Sequence, residues 1–276
     1  MRLFKKAAII GVGLIGGSLA LAIKKSGLAE KVVGVSRHKK SIDLARKRGA
    51  IDEGSLSLDI VKDADLLVFA APVSVILKLA PEVSRIIKKE CVVTDVGSTK
   101  KEIVSRLEKI FPGFIGSHPM SGSEKRGVAH ANGGLFKDSI CILTPTGKTK
   151  KGSSSKISLM WKSVGAKNIY LSPDAHDKIL SCVSHLPHIA AFSLINAVPD
   201  GFLRFASSGL KDTTRIAASE DELWVDIFLS NRKNLLNAIK AFEGALSSIE
   251  SAIKTNNRTR LAQILKKAKE KREKLG

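Results

Sequence analysis

The chain has 276 residues, of which 43% are hydrophobic, enough to build two domains of roughly 150 residues, each with its own core. Its formal net charge is +20, from 46 Lys+Arg against 26 Asp+Glu. That sign fits a surface that holds nucleic acid, one that concentrates small anions, or a solvated lysine-rich face, but aromatics are only 5% and no basic stripe is interleaved with them, which argues against a single-strand binder.

Cys91, Cys141 and Cys182 are far apart and show no CxxC spacing. This argues against a disulfide framework or a metal site and for a reducing compartment, the cytoplasm. The N-terminus runs directly into a strand pattern, so neither a signal peptide nor a membrane span is expected.

Short apolar runs alternate with helix-period segments through the first part of the chain. The runs are residues 7–11, 32–35, 66–70, 92–95 and 114–117; helical patterns cover 14–25, 40–48, 76–88 and 100–110. Continuous apolar strands between helices predict an α/β fold with a doubly wound, mainly parallel sheet covered on both faces. Residues 140–145 and 168–171 read as late strands of the same sheet. The Lys/Ser-rich stretch 148–156 reads as an exposed loop, followed by a helix ending near Val164. Beyond Pro173 the strand pattern ends and helical periodicity takes over. The expected division is a first domain of residues 1–172 and an all-α domain of residues 173–276, with the active site where the two parts meet.

Gly11, Gly13 and Gly16 fit GxGxxG between an apolar strand and a helix, the context that makes this motif a dinucleotide-binding turn of Rossmann type. Gly11 permits the turn, Gly13 lets backbone approach a pyrophosphate, and Gly16 lets helix pack on strand. The phosphates would meet the free N–H groups of the helix opening at Leu14 and Ile15. An enzyme that prefers NAD carries an acid about 20 residues further on, for the ribose hydroxyls. Here the second strand ends in Val35-Ser36-Arg37-His38-Lys39-Lys40, with no carboxylate. Ser36, Arg37 and Lys39 suit a 2′-phosphate, so NADP is expected over NAD.

Asp95-Val96-Gly97-Ser98 and Gly116-Ser117-His118-Pro119-Met120 each lie at the C-terminal end of a strand, where ligands bind in open α/β sheets. His118 beside a nicotinamide is a good acceptor for a hydroxyl proton, because its ordinary pKa of about 6.5 lets it cycle near neutrality. The alternative is a hydrogen-bonded structural histidine.

These segments, with Ala71-Pro72-Val73, Leu143-Thr144-Pro145-Thr146, His176-Asp177, Ser184-His185-Leu186-Pro187-His188 and Lys211-Asp212-Thr213-Thr214-Arg215, resemble the prephenate/arogenate (cyclohexadienyl) dehydrogenase family of tyrosine biosynthesis nearly end to end. The resemblance implies a Rossmann domain followed by an all-α dimerisation domain, a homodimer, and oxidative decarboxylation of an anionic substrate. It makes His118 the proton acceptor and Ser98 its partner at the substrate hydroxyl; from sequence alone, Ser98 also suits a helix N-cap. It assigns substrate contacts to His188, Arg215 and Glu124, and adds Pro72 and Ser98 to the cofactor contacts. His185 is expected to be structural, on the same helix face as His188, and His176 to pack or lie at an interface. Leu223, Trp224, Ile227 and Phe228 form an apolar set suited to a partner subunit or to the chain's own core. His188 and Glu124 resemble prephenate-using members. Ser36-Arg37 and the segment 206–209 resemble NADP-dependent arogenate users. The rival enzyme class, a β-hydroxyacid dehydrogenase, would place its proton-transfer lysine in the second domain, whereas the best-placed group here is His118 in the first.

Overall fold

The computed structural model describes residues 2–122 and 125–275. β1 (Phe4–Ile10), β2 (Ala29–Val35), β3 (Glu53–Ser55), β4 (Leu66–Phe69) and β5 (Val92–Asp95) form a parallel sheet in the order β3-β2-β1-β4-β5. Alternate residues of one strand enter two different cores. Ala7 and Ile9 join Leu19, Ile23 and Val68 on one face. Ala8 and Ile10 join Phe69, Ile76 and Ile103 on the other. Both faces are therefore dry, which is why these strands are continuously apolar rather than alternating. The covering helices are α1 (Leu14–Lys25), α2 (Lys39–Lys47), α3 (Val73–Ile86) and α4 (Lys101–Ile110). Chain order reverses across the β1–β4 pair, and such a switch point opens a crevice beyond the strand ends.

The later strands depart from expectation. β6 (Gly116–Pro119), β7 (Ile140–Thr144) and β8 (Lys167–Tyr170) make a separate three-stranded sheet, tied to the first by an isolated bridge between Thr94 and Ile115. β6 and β7 are antiparallel, pairing Gly116 with Thr144 and His118 with Ile142. A parallel return would need a crossover element, and among the described residues between them there is only the short turn Val128–His130. The stretch expected as a loop also differs. α5 (Lys151–Ser163) begins inside it, because Ile157, Met160 and Trp161 are fully buried and draw the polar first turn into register with them. Trp161 Nε1 donates to Ser117 Oγ at 3.1 Å, and that oxygen also lies 2.7 Å from Thr94 Oγ1, so the helix helps seat the strand that carries His118.

From Ser172, whose hydroxyl accepts from Ala175 N, the chain is helical: α6 (Pro173–Leu180), one π turn (Ser181–His185), α7 (Leu186–Asn196), α8 (Ser208–Thr214) and α9 (Asp221–Ser230). The wide turn sits just before Pro187, which has no N–H to continue the ladder. Strand gives way to helix at residue 172, whereas the two compact units part at Asn231. α10 (Arg232–Lys254) and α11 (Arg258–Glu273) form the second unit and pack on each other across a short turn, where Asn257 accepts from Arg260 N. The apolar set in α9 is split. Trp224 and Ile227 are buried, while Leu223 is exposed.

Asp95 holds the sheet to the loop that follows it. Its carboxylate pairs with Lys100, both side chains being fully buried, and accepts from Gly97 N at 2.8 Å and Ser117 N at 3.3 Å. Removing one partner strands the other charge in a dry interior. Asp95→Ala should therefore cost about 3–5 kcal/mol in urea unfolding, and adding Lys100→Met should recover much of it. A single variant with the wild-type midpoint would show that the pair does not hold this loop.

Candidate active site

A cavity of about 610 Å³ opens beyond the C-terminal ends of the strands. Its wall takes Gly13 to Ile15 after β1, Ala70 to Val73 after β4, Val96 to Ser98 after β5, and His118 to Gly122 at the end of β6. Ser184, His185, His188, Arg215 and Trp224 close it from the helical segment.

The glycine turn is shaped for phosphate. Gly11 has φ +104°, and a Cβ there would lie 2.2 Å from Ala70 O; one on Gly16 would lie 2.0 Å from Gly11 O. A Cβ on Gly13 would meet nothing within 4 Å, so the space before it is open to a ligand. Among the described residues no side chain caps the start of α1, which leaves its first N–H groups for an anion. Gly11 N donates to Val35 O at 2.9 Å, which brings the end of β2 beside this turn. Ser36 follows there, with its Oγ accepting from His38 N, and Arg37 and Lys39 are exposed next to it. These three lie outside the lining of the main cavity, as do Gly11 and Gly16; Leu14, Ile15, Pro72 and Ser98 line it. The residues present fit a dinucleotide.

His118 is held through a chain that the sequence did not suggest. Its Nδ1 lies 2.8 Å from His176 Nε2, and His176 Nδ1 lies 2.7 Å from Asp177 Oδ1. Asp177 also accepts from the first amides of α4, Lys100 N at 2.7 Å and Lys101 N at 2.9 Å. Burial opposes its ionisation, but the bonds from His176 and the two amides prevail and hold the carboxyl below its usual range. A carboxylate can only accept, so His176 Nδ1 is the donor and its Nε2 carries a lone pair. His118 Nδ1 must then donate, which leaves its Nε2 as the basic nitrogen. Burial, with the nearby His176, Lys100 and His185, keeps His118 well below the usual imidazole range and hence neutral at pH 7.

Ser98 lines the cavity, but among the described residues it neither bonds His118 nor caps α4, whose amino end belongs to Asp177. His188 Nδ1 donates to Ser184 O at 3.0 Å, and its ring stacks on Trp224 with centroids 3.4 Å apart, which leaves Nε2 without a partner among the described residues. Arg215 is exposed at the cavity wall and pairs with no carboxylate among the described residues. Glu124 lies outside the described residues. His185 is buried; Asn231 Nδ2 donates to its Nδ1 at 3.2 Å, and burial lowers it to about 4. Sequence reasoning also missed Trp224 as a cavity residue, and Ser121, whose buried Oγ has no partner among the described residues. Asp226 was missed as well; it accepts from Ser74 N at the start of α3.

A doubly wound sheet, a phosphate-ready glycine turn and a neutral histidine at the strand ends define an oxidoreductase that uses a nicotinamide dinucleotide. The chain belongs to the prephenate dehydrogenase family. Residues 19–170 match the family profile described as prephenate dehydrogenase, nucleotide-binding domain, and residues 172–267 match prephenate dehydrogenase, dimerization domain. The prephenate dehydrogenase of Bacillus subtilis is 35% identical over 96% of this chain and 74% of its own. The cyclohexadienyl dehydrogenase of Zymomonas mobilis is 32% identical over 99% and 96%. Among solved structures, the prephenate dehydrogenase of Aquifex aeolicus in complex with hydroxyphenyl propionate and NAD+ superposes with a TM-score of 0.94, at 36% identity, over 100% of this chain and 99% of that one. The arogenate dehydrogenase of Synechocystis gives 0.84 at 28%, over 98% and 100%.

The buried histidines tie stability to pH. An unfolded histidine takes its proton near 6.5, whereas His185 does so in the folded chain only near 4. Between those values the unfolded chain binds more protons, so stability falls as pH drops. His185 alone should cost roughly 3 kcal/mol across that window, and His118 and His176, shifted in the same direction, add to it. Urea unfolding at a series of pH values checks this; a flat profile between pH 7 and 4.5 would contradict it.

Proposed function

We propose that the chain is an NADP-preferring prephenate dehydrogenase, which converts prephenate to 4-hydroxyphenylpyruvate and carbon dioxide. The observation that carries this is His118. It is neutral, its Nε2 is the basic nitrogen, and it lines one cavity with the cofactor turn and with His188 and Arg215. A bound nicotinamide would accept the hydride from C4 of the cyclohexadienyl ring. His118 takes the hydroxyl proton as the C4 oxygen becomes a carbonyl. The ring carboxylate leaves as carbon dioxide, its bonding pair aromatises the ring, and His118 returns its proton to the phenolate oxygen. Aromatisation makes the step effectively irreversible. Ser98 supports the substrate hydroxyl. Arg215 suits a carboxylate, since its planar fork can bind at two points. His188, fixed on Trp224, presents Nε2 to the side-chain end of the substrate.

Prephenate and arogenate differ at that end, a keto group against an ammonium-bearing carbon. The keto acid is favoured by the resemblance of His188 and Glu124 to prephenate-using members; with Nδ1 donating to Ser184 O, the neutral His188 ring offers Nε2 as an acceptor and does not itself select the keto group. Arogenate, or both substrates, is the second reading; Ser36-Arg37 and the segment 206–209 favour it. NADP preference rests on Ser36, Arg37 and Lys39 beside the glycine turn, with no carboxylate among them. We also propose a functional division near residue 172, where the two family profiles meet, and a homodimer. The dimer reading is supported by residues 173–196, a helix long and apolar enough by composition to cross a membrane, with Val183 and Leu194 exposed.

Cofactor reduction followed with both substrates and both dinucleotides tests the reading. Wild type should turn over prephenate, and His118→Asn should lower kcat by roughly 10²–10⁴-fold with little change in dinucleotide KM. Turnover near the wild-type rate would sink the assignment. Wild type should also show the higher kcat/KM with NADP. Ser36→Asp should reverse that preference, because the new carboxylate repels a 2′-phosphate and accepts from ribose hydroxyls. An NAD preference in wild type would refute the cofactor assignment.

A further inference from the structure

We propose that His176 and Asp177 are a positioning pair that fixes both the tautomer and the ring plane of His118. The inference rests on His118 being the proton acceptor and goes beyond it in assigning how that base is kept ready. Both members are sealed from solvent, His176 at 0% and Asp177 at 1% exposure. The polarity of the chain is determined at its far end. Asp177 is held as an acceptor by the two amides of α4, so every bond from there to His118 runs in one direction. A chain with the opposite polarity would place the proton of His118 on Nε2 and leave that nitrogen unable to accept one. The two rings are tilted at 56° with centroids 5.0 Å apart, so they meet through the bond between their nitrogens rather than by stacking.

The pair also responds to the reaction. When His118 gains a proton, its Nδ1–H becomes a charge-assisted donor and the bond to His176 strengthens. That interaction is larger after proton transfer than before, which is the condition for lowering a barrier. The proton itself stays on His118. Among the described residues, the other charged or titratable groups acting on this ring are His185 on the π turn and Lys100 at the head of α4, and Lys100 is paired with Asp95. A structural role alone would seat β6 against α6 but would not require one tautomer.

The test uses the full chain labelled with 15N-histidine, with His118→Asn to assign the resonance among the six histidines. At neutral pH, wild-type His118 should be the Nδ1–H tautomer. His176→Phe removes the acceptor, and His118 should become a mixture containing Nε2–H. In that variant kcat should fall between roughly tenfold and 10⁴-fold, with dinucleotide KM unchanged. His176→Gln keeps an acceptor oxygen and should restore the Nδ1–H signal and much of kcat. A wild-type Nε2–H tautomer overturns the proposal. So does a Phe variant with unchanged tautomer and turnover, or Gln and Phe variants equally impaired with equal thermal loss. Should the Phe variant fail to fold, the wild-type spectrum and the Gln variant still decide. Should wild type turn over neither substrate, the substrate assignment fails while the tautomer spectra decide the pair independently.

Discussion

The carboxylate of Asp177 receives bonds from two amides at the head of α4 and from the ring of His176, and its backbone oxygen accepts from Asn231 Nδ2 at 2.7 Å. Three parts of the chain meet at this residue: the helix that follows β5, the start of the helical segment, and the end of α9. A buried carboxylate is costly unless each lone pair finds a donor. Here the donors are N–H groups that a helix terminus would otherwise leave unsatisfied, and the positive end of the helix dipole adds to them. The same contact therefore removes two burial penalties at once. It also sets where α6 stands, and through His176 it sets where His118 points.

The chemistry divides along the chain. With the base brought to the same rim by β6 of the second sheet, the parallel sheet supplies the phosphate turn where its strands end. It cannot by itself cover a substrate at that rim. The helical segment does so, and the π turn before Pro187 determines what it presents. His185 turns inward to Asn231, while His188 lies on the face of Trp224. Trp224 also meets His185 edge-on at 6.2 Å, so one buried indole registers both histidines against the cavity. Asp226, two residues further along α9, reaches across to the head of α3, so the same helix braces the cofactor side of the cavity.

What the sequence made legible was local. The glycine turn follows from spacing after an apolar strand, and the two-faced sheet follows from strands without polar alternation. The position of His118 at a strand end was legible for the same reason. Its partner was not. His176 lies 58 residues away, and nothing in the spacing of two histidines says that their rings will touch. Strand direction was equally hidden: the apolar run Ile140–Thr144 is the same whether it pairs parallel or antiparallel, and only the missing crossover decides. α5 was obscured because its lysine- and serine-rich first turn carries no cap signal. Trp224 and Ile227 form an apolar stripe, and a stripe does not state which surface will cover it. Here both are buried within the single chain.

The environment of His118 balances two demands. A base must be neutral before the reaction, and burial with Lys100 and His185 nearby secures that by holding its pKa down. A base with a depressed pKa is, by the same effect, a reluctant proton acceptor. Two features relieve the conflict without adding a formal charge beside the ring. Asp95 takes up the charge of Lys100, so the repulsion at His118 is that of a paired ammonium. The anion that favours the protonated ring sits one imidazole further away, at Asp177. From there it acts through oriented N–H bonds whose effect grows as charge develops on His118. A carboxylate placed directly on His118 would raise its basicity in the resting enzyme as well and shift it toward the protonated, inactive form. The intervening His176 supplies the orientation while weakening the permanent pull, which lets a buried histidine be neutral at rest and still accept a proton during turnover.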